Sequence, residues 1–360
     1  MSTRVLRARQ GTHRYEVEVG RVLPRRAAEV AQGRDRVALV TCARVLGTPL
    51  GRGVREALER TGTLSCTVVL PDGEGGKTLA VLERSAVRLL GAGLTRRSLV
   101  VALGGGAVTD AAGFLAAVFM RGVDWVAIPT TLLGMVDASL GGKTAANLPG
   151  AKNAVGAFHP PSSVLADPRM LATLPPRELA SGLGEVLKYG LIRPARLPRL
   201  SSSLARRPVD EAVIAECAQV KLEVVRRDPT ERGERKLLNL GHTFGHGVEA
   251  AGGFRRYRHG EAVAVGLAFA FRLARLLGRV DAASVEQVEA ALLAAGLPVR
   301  VPAGLARRAL TLMGHDKKRT SAGLRWVLPV RRGRGWTVEW DVTAGDAAVR
   351  AAAREIGRRR

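Results

Sequence analysis

The sequence predicts an α/β fold class for the first half of the chain, a layer of parallel strands and helices, followed by a mainly α-helical second half. Three observations predict it. Short apolar runs at residues 36–41, 66–70, 99–103 and 125–128 alternate with helical stretches at 50–60, 78–90 and 107–120, the β-α-β order of a parallel sheet. After about residue 175 the strand pattern fades, and helical periodicity covers 176–191, 209–227, 236–251, 260–277, 283–295 and 304–313. Pro168, Pro175 and Pro176 punctuate the change. At 360 residues the chain is long for one core. The expected division is therefore 1–173 and 174–360.

Taken in order, alternation over residues 15–19 suggests an early strand. The run RVALVT at 36–41 reads as a buried parallel strand, and PDGEGGK at 71–77 as a loop. The apolar run at 99–103 leads into Gly104, Gly105 and Gly106 and then a small-residue helix with Asp110 near its start. Glycines between a strand and a helix let backbone amides approach a phosphate, and the helix N-terminus favours the anion. The pattern is not G-x-G-x-x-G, since Thr109 stands at the third glycine, and a tight turn without ligand explains the glycines equally well. A strand pair near 324–329 and 336–340 interrupts the helices, and the tail REIGRRR reads as a frayed basic end.

Composition narrows the function. The 46% hydrophobic content suffices for a core, and no apolar run reaches the ~18 residues of a membrane span. The first residues, MSTRVLRARQ, contain no apolar core of an export signal. Three cysteines without a C-x-x-C suit a reducing compartment, so a cytoplasmic protein is expected. The net charge of +24 would attract polyanions, but the basic residues are spread along the chain and no nucleic-acid module is recognisable. Neither a nucleic-acid nor a membrane partner is expected.

Only eight of the 56 basic residues are lysines: Lys77, Lys143, Lys152, Lys188, Lys221, Lys236, Lys317 and Lys318. A chain that uses arginine for ordinary surface charge keeps lysine where a compact, movable ammonium is wanted. Asparagine is scarcer, at Asn147, Asn153 and Asn239. In the second half His242 and His246 stand four apart, on one face of a helix, and His259 follows at the head of another. Two histidines and a carboxylate such as Glu185 make a catalytic zinc set with an open position. A structural role for the same histidines is the competing reading.

Seven motifs in order, GGGAVTDAAGF, RGV, IPTTLLGMVDASLGGKT, KNAVGAFH, LPPRELASGLGEVLKYG, LLNLGHTFGH and HGEAVAVG, resemble the 3-dehydroquinate synthase family across roughly residues 35–330. The resemblance implies an N-terminal Rossmann-like nucleotide-binding domain, a helical metal-binding domain and a homodimer. It implies NAD, a divalent metal (Zn2+ or Co2+), and conversion of 3-deoxy-D-arabino-heptulosonate 7-phosphate to 3-dehydroquinate and phosphate. On the family's pattern the metal ligands fall on Glu185, His242 and His259. Catalytic groups fall on Arg121, Asp137, Lys143, Lys188 and His246, with His246 the candidate for taking the alcohol proton. Substrate contacts fall on Lys152, Asn153, Lys221, Arg235, Asn239 and Lys317 or Lys318. Cofactor contacts fall on Glu74, Lys77, Gly104, Gly105, Gly106, Asp110, Thr130, Thr131, Thr173 and Leu174, together with Asp137, Lys143 and Lys152. Of the lysines, only Lys236 has no implied role.

One position departs from the pattern. After the strand at 37–41 the family usually carries an acidic residue or Asn for the adenosine ribose, and here Cys42 stands there, a poor partner for a diol. Two other enzyme readings share the domain plan: a sugar phosphate cyclase of inosose or valiolone type, and a metal-dependent glycerol or alcohol dehydrogenase. The dehydrogenase explains neither the lysine cluster nor Asn239, and the intact GGKT and Lys152-Asn153 favour the dehydroquinate branch.

Overall fold

The structure, a computed structural model, describes residues 3–197, 209–313, 319–320, 323–333 and 335–357. It divides into two units, Met1–Pro175 with Pro208–Pro229, and Pro176–Arg207 with Thr230–Arg360.

The first unit is built on a seven-stranded sheet. In chain order its strands are β1 (Arg4–Gln10), β2 (His13–Val19), β3 (Val37–Cys42), β4 (Leu64–Leu70), β5 (Leu99–Gly104), β6 (Asp124–Pro129) and a late strand, Ser163–Ala166. Across the sheet they run β1, β2, the late strand, β6, β5, β3, β4. Only β1 and β2 pair antiparallel; every other pairing is parallel. All six residues of β3 and of β5 are buried, which is why they read as continuous apolar runs rather than as alternation. Helices α1 (Arg25–Ala31), α2 (Pro49–Arg60), α3 (Leu79–Gly91) and α4 (Gly106–Val118) belong to this unit. Thr48 and Thr78 cap α2 and α3 by accepting from Gly51 N and Val81 N.

Two features of this unit differ from expectation. Residues 143–158 form an antiparallel hairpin, β7 (Lys143–Leu148) with β8 (Ala151–Phe158). Its short, small and polar residues lack the hydrophobic alternation that would have announced it. Helix α5 (Glu211–Arg227) also belongs here, although the sequence division places it in the second half. Its buried residues, including Val213, Ile214, Val220 and Val224, pack on β1 and β2 and on the turn at Gly134–Ala138. Apolar periodicity announces a helix without saying which core it covers.

The second unit is helical: α6 (Pro176–Ile192), α7 (His242–Ala251), α8 (His259–Leu276), α9 (Ala282–Ala294), α10 (Ala303–Met313) and α11 (Asp346–Ile356), with a hairpin of Trp326–Arg332 and Gly335–Val342. The stretch expected as one helix over 236–251 is two elements. A 3-10 turn at Glu234–Asn239 ends before Gly241, whose φ of 79° breaks the run, and α7 starts at His242. The tail is not frayed as far as residue 356. Ile356 is fully buried, and Glu355 pairs with Arg272 and Arg275 of α8.

Helices α6, α7 and α8 meet backbone to backbone. A Cβ on Gly260 would lie 1.7 Å from the Ser181 carbonyl oxygen, one on Gly266 would lie 1.8 Å from that of Gly241, and one on Gly184 would lie 2.6 Å from that of Gly260. No side chain fits at these positions, so glycine there sets how closely the helices approach. Phe244 stacks on Phe269 at 4.1 Å and Phe269 on Trp326 at 5.3 Å, closing the core behind them.

Candidate functional site

In the first unit the glycines of the β5–α4 turn are required by packing. A Cβ on Gly104 would lie 2.5 Å from the Val108 side chain, and one on Gly105 would lie 2.9 Å from the Thr131 methyl. The turn therefore rests directly on the segment after β6, and Thr130 N donates to Gly104 O at 2.9 Å. Asp110 follows on α4. Lys77, at the end of a 3-10 turn and only 3% exposed, touches Asp110 and donates to Asn153 Oδ1 at 2.5 Å. Burial pushes the Asp110 carboxyl up, and the Lys77 ammonium opposes that rise.

The hairpin is tied to the same turn. Asn147 donates to Glu74 Oε2 at 2.6 Å and accepts from Asn153 N at 2.9 Å, and Lys152 Nζ lies 3.7 Å from Glu74 Oε1. Asn153 itself has φ of 52°, a left-handed conformation that asparagine tolerates better than most residues. Glu74, Lys77, Asp110, Lys152 and Asn153, five of the residues singled out by sequence, thus form one polar network. Asn147 completes it; its scarcity was the signal.

Asp137 lies in a π-helical turn, Gly134–Ala138. Lys221 of α5 donates to its carboxylate at 2.5 Å and to its carbonyl at 2.7 Å. Arg121 has φ of 65° and follows Met120 at 50°, two successive left-handed residues in the short turn before Gly122. Lys143 is exposed at the start of β7. Thr131 Oγ1 accepts from Gly134 N at 3.0 Å. Thr173 and Leu174 lie at the end of a 3-10 turn, Pro168–Thr173, that follows the late strand.

Cys42 ends β3 and is nearly buried. Burial pushes its thiol up, and the Asp72 carboxylate beside it raises it further. Asp72, which lies 3.7 Å from Arg44, therefore puts an acid at this strand end although position 42 has none.

The second unit brings the three expected metal ligands together from three helices. Glu185 of α6 is fully buried. His242 Nε2 lies 3.5 Å from Glu185 Oε1, and His259 Nε2 lies 3.4 Å from the same oxygen. A tetrahedral ion with bonds of about 2.0–2.1 Å separates its ligand atoms by about 3.3–3.4 Å, so these edges have the right length. Neither Glu185 oxygen has a hydrogen-bond partner in good geometry, although the Lys188 ammonium touches Oε2. Lys188 neutralises the Oε2 side, while Oε1 is left facing two imidazole nitrogens at the separations a bound ion imposes, so the residues fit a divalent metal.

Behind each histidine stands an acceptor: Leu240 O lies 3.2 Å from His242 Nδ1, and Glu249 Oε2 lies 3.3 Å from His259 Nδ1. Burial by itself would lower the His259 pKa, but the facing Glu185 and Glu249 carboxylates outweigh it and raise it from 6.5 to about 10. The His246 ring centre is 5.4 Å from that of His242 and 6.3 Å from that of His259, and the residue is exposed. Arg235 is fully buried on the 3-10 turn, and Asn239 donates to Glu231 Oε1 at 2.6 Å. Lys236 pairs with Asp341 at the surface, 2.7 Å away. Lys317 and Lys318 lie outside the described residues. Sequence reasoning missed Asp72 and Glu249. For Glu249 the signal was its spacing, seven residues after His242 and three after His246, which is one helix face.

Comparison with known proteins agrees over most of the chain. The family model described as 3-dehydroquinate synthase N-terminal matches residues 67–181, and the one described as 3-dehydroquinate synthase C-terminal matches residues 182–319. A 3-dehydroquinate synthase of Cereibacter sphaeroides is 43% identical over 363 residues, covering 96% of each chain. One from Paracoccus denitrificans is 42% identical, covering 91% of this chain and 93% of its own. Among solved structures, a 2-epi-5-epi-valiolone synthase from Streptomyces hygroscopicus subsp. jinggangensis 5008, with NAD+ and Zn2+ bound, superposes with a TM-score of 0.81 at 28% identity, covering 95% of this chain and 96% of that one.

Proposed function

The chain belongs to the 3-dehydroquinate synthase family, and from that premise we propose how its own residues convert 3-deoxy-D-arabino-heptulosonate 7-phosphate to 3-dehydroquinate and phosphate. When bound, NAD supplies a transient hydride acceptor and the divalent metal, Zn2+ or Co2+, supplies Lewis acidity. Together they would allow transient oxidation of a secondary alcohol, loss of phosphate and ring closure with no net redox change.

Glu185, His242 and His259 hold the metal. The strongest support is the fully buried Glu185, whose Oε1 is faced by two imidazole nitrogens at 3.4 and 3.5 Å, the separation a tetrahedral ion imposes. His246, exposed beside that group, takes the alcohol proton. Lys188 holds the Glu185 carboxylate and serves with the catalytic groups. Glu74, Lys77, Asp110 and the glycine turn hold the dinucleotide, with Thr130, Thr131, Thr173 and Leu174 as further contacts. Arg121, Lys152 and Asn153 bind the phosphate; Lys143 and Lys221 bind the carboxylate or ring hydroxyls. Asp137 serves with the catalytic groups, and Arg235 and Asn239 contact substrate. Cations around the phosphate place it as well as stabilise it, which suits a leaving group that acts as base in its own elimination.

A cytoplasmic homodimer rests on the family resemblance. No helix among the described residues is long and apolar enough to cross a membrane. The deciding experiment is product analysis with the heptulosonate phosphate, NAD and zinc. Dehydroquinate and phosphate in equal amounts are expected. Comparable turnover of a sugar phosphate lacking the carboxylate would point to another cyclase instead.

A further inference from the structure

Glu249 has no part in the reading above, yet it is a carboxylate only 5% exposed. Burying such a group is unfavourable unless a positive or donating partner faces it. On α7 it shares a face with His242 and His246, and its Oε2 lies 3.3 Å from His259 Nδ1. His259 is therefore held at both ring nitrogens, Nδ1 by Glu249 and Nε2 by Glu185 at 3.4 Å.

The two histidines are not equivalent. His242 has a neutral backbone carbonyl behind Nδ1, whereas His259 has a buried carboxylate. An imidazole binds a metal through a nitrogen lone pair, so ligation through Nε2 requires the remaining proton on Nδ1. A carboxylate accepting that proton's hydrogen bond fixes the tautomer, fixes the ring plane and makes Nε2 a stronger donor.

We propose that Glu249 is a positioning residue for the metal: it accepts the Nδ1–H of His259 and holds Nε2 toward Glu185. This rests on reading Glu185, His242 and His259 as the ligand set. A competing geometry exists, because ligand atoms of His246, Glu249 and His259 also lie within 4.8 Å of one another. A second ion there would use Glu249 as a ligand rather than as an acceptor.

The test measures zinc affinity on the chelator-stripped full chain, by competition with a chromophoric chelator, for wild type, Glu249→Ala, Glu249→Gln and Glu249→Asp. Cobalt absorption spectra and metal-free melting curves accompany each. The alanine variant should bind zinc ~10–100-fold more weakly with a changed cobalt spectrum. The glutamine variant, whose amide oxygen still accepts, should recover most of that affinity. The aspartate variant keeps the charge but withdraws the oxygen by one methylene, and should resemble alanine. If alanine does not fold, the contrast of glutamine above aspartate carries the test. Zinc binding by wild type with all variants within twofold of it overturns this role alone. Aspartate clearly better than glutamine assigns the effect to charge, and a second zinc equivalent lost with Glu249 makes it a ligand; either overturns the proposal. Wild type without zinc binding overturns the ligand set and the proposal together.

Discussion

Replacing Lys77 by methionine removes a charge at nearly constant volume. The Lys77 ammonium is 3% exposed and touches Asp110, whose side chain is 20% exposed, while also donating to Asn153. Removing one partner of a buried ion pair costs about 3–5 kcal/mol, because the other charge is left uncompensated. Asp110 has partial relief: a fifth of its side chain reaches solvent, and it can take up a proton. The expected loss is therefore about 2–4 kcal/mol. For a unit of roughly this size each kcal/mol moves Tm by about 2–4 °C, so Lys77→Met should melt about 5–15 °C below wild type. The loss belongs to an ionised carboxyl whose pKa burial already raises. The loss shrinks as falling pH protonates Asp110, so the gap between variant and wild type should narrow as pH is lowered. Lys77→Met/Asp110→Asn should recover most of the loss, giving a coupling energy of about 1–3 kcal/mol in a double-mutant cycle. Thermal melts of the four proteins decide it. Equal melting of Lys77→Met and wild type, or no recovery in the double variant, would refute the pairing argument.

Three further outcomes are expected. His259→Ala should lose zinc and turnover together, since two ligands hold an ion far more weakly than three; elemental analysis beside activity checks it. Below its ordinary pKa of 6.5 the metal-free fold has the full stabilisation from protonated His259, and it loses that stabilisation as pH rises through about 10. Zinc must expel that proton, so its affinity should rise by up to about tenfold per pH unit from neutrality toward pH 10; a flat competition titration would contradict this. Lys152→Arg should lower kcat/KM by about tenfold or more, because a planar fork replaces a compact donor. Lys236→Arg, at its surface pair with Asp341, should stay near wild type, and the reverse ranking in steady-state kinetics would end the lysine argument.

What the sequence revealed follows from where the physics is local. β3 and β5 were legible because burial on both faces leaves an unbroken apolar run. The cluster of Glu185, His242 and His259 was legible from the family resemblance together with the scarcity of histidine; helical spacing by itself pointed to His242 with His246. The β7–β8 hairpin was not, since its residues are held by side-chain bonds such as Asn153 N to Asn147 rather than by hydrophobic alternation. The break at Gly241 was hidden because glycine inside a helical pattern has several meanings, and only the φ of 79° selects one. Asp72 was missed because it acts on Cys42, thirty residues away on another strand end, a pairing no local periodicity encodes. Glu249 carried a signal, its helical spacing from His242 and His246, but the histidine it faces, His259, stands on the next helix.

The glycine contacts among α6, α7 and α8 limit how this protein can be re-engineered. With Gly260 and Gly266 pressed on the carbonyls of Ser181 and Gly241, the helices can neither draw closer nor accept a larger residue there without separating. The Cα positions of Glu185, His242 and His259 are in effect a fixed tripod. An ion of different radius must then be accommodated by side-chain length, not by helix adjustment. Shortening Glu185 to aspartate would leave a gap of about one C–C bond, ~1.5 Å, that the scaffold cannot close. Laboratory selection for a new metal should accumulate changes at ligands and at the acceptors behind them, while substitutions at these glycines disappear from the surviving pool.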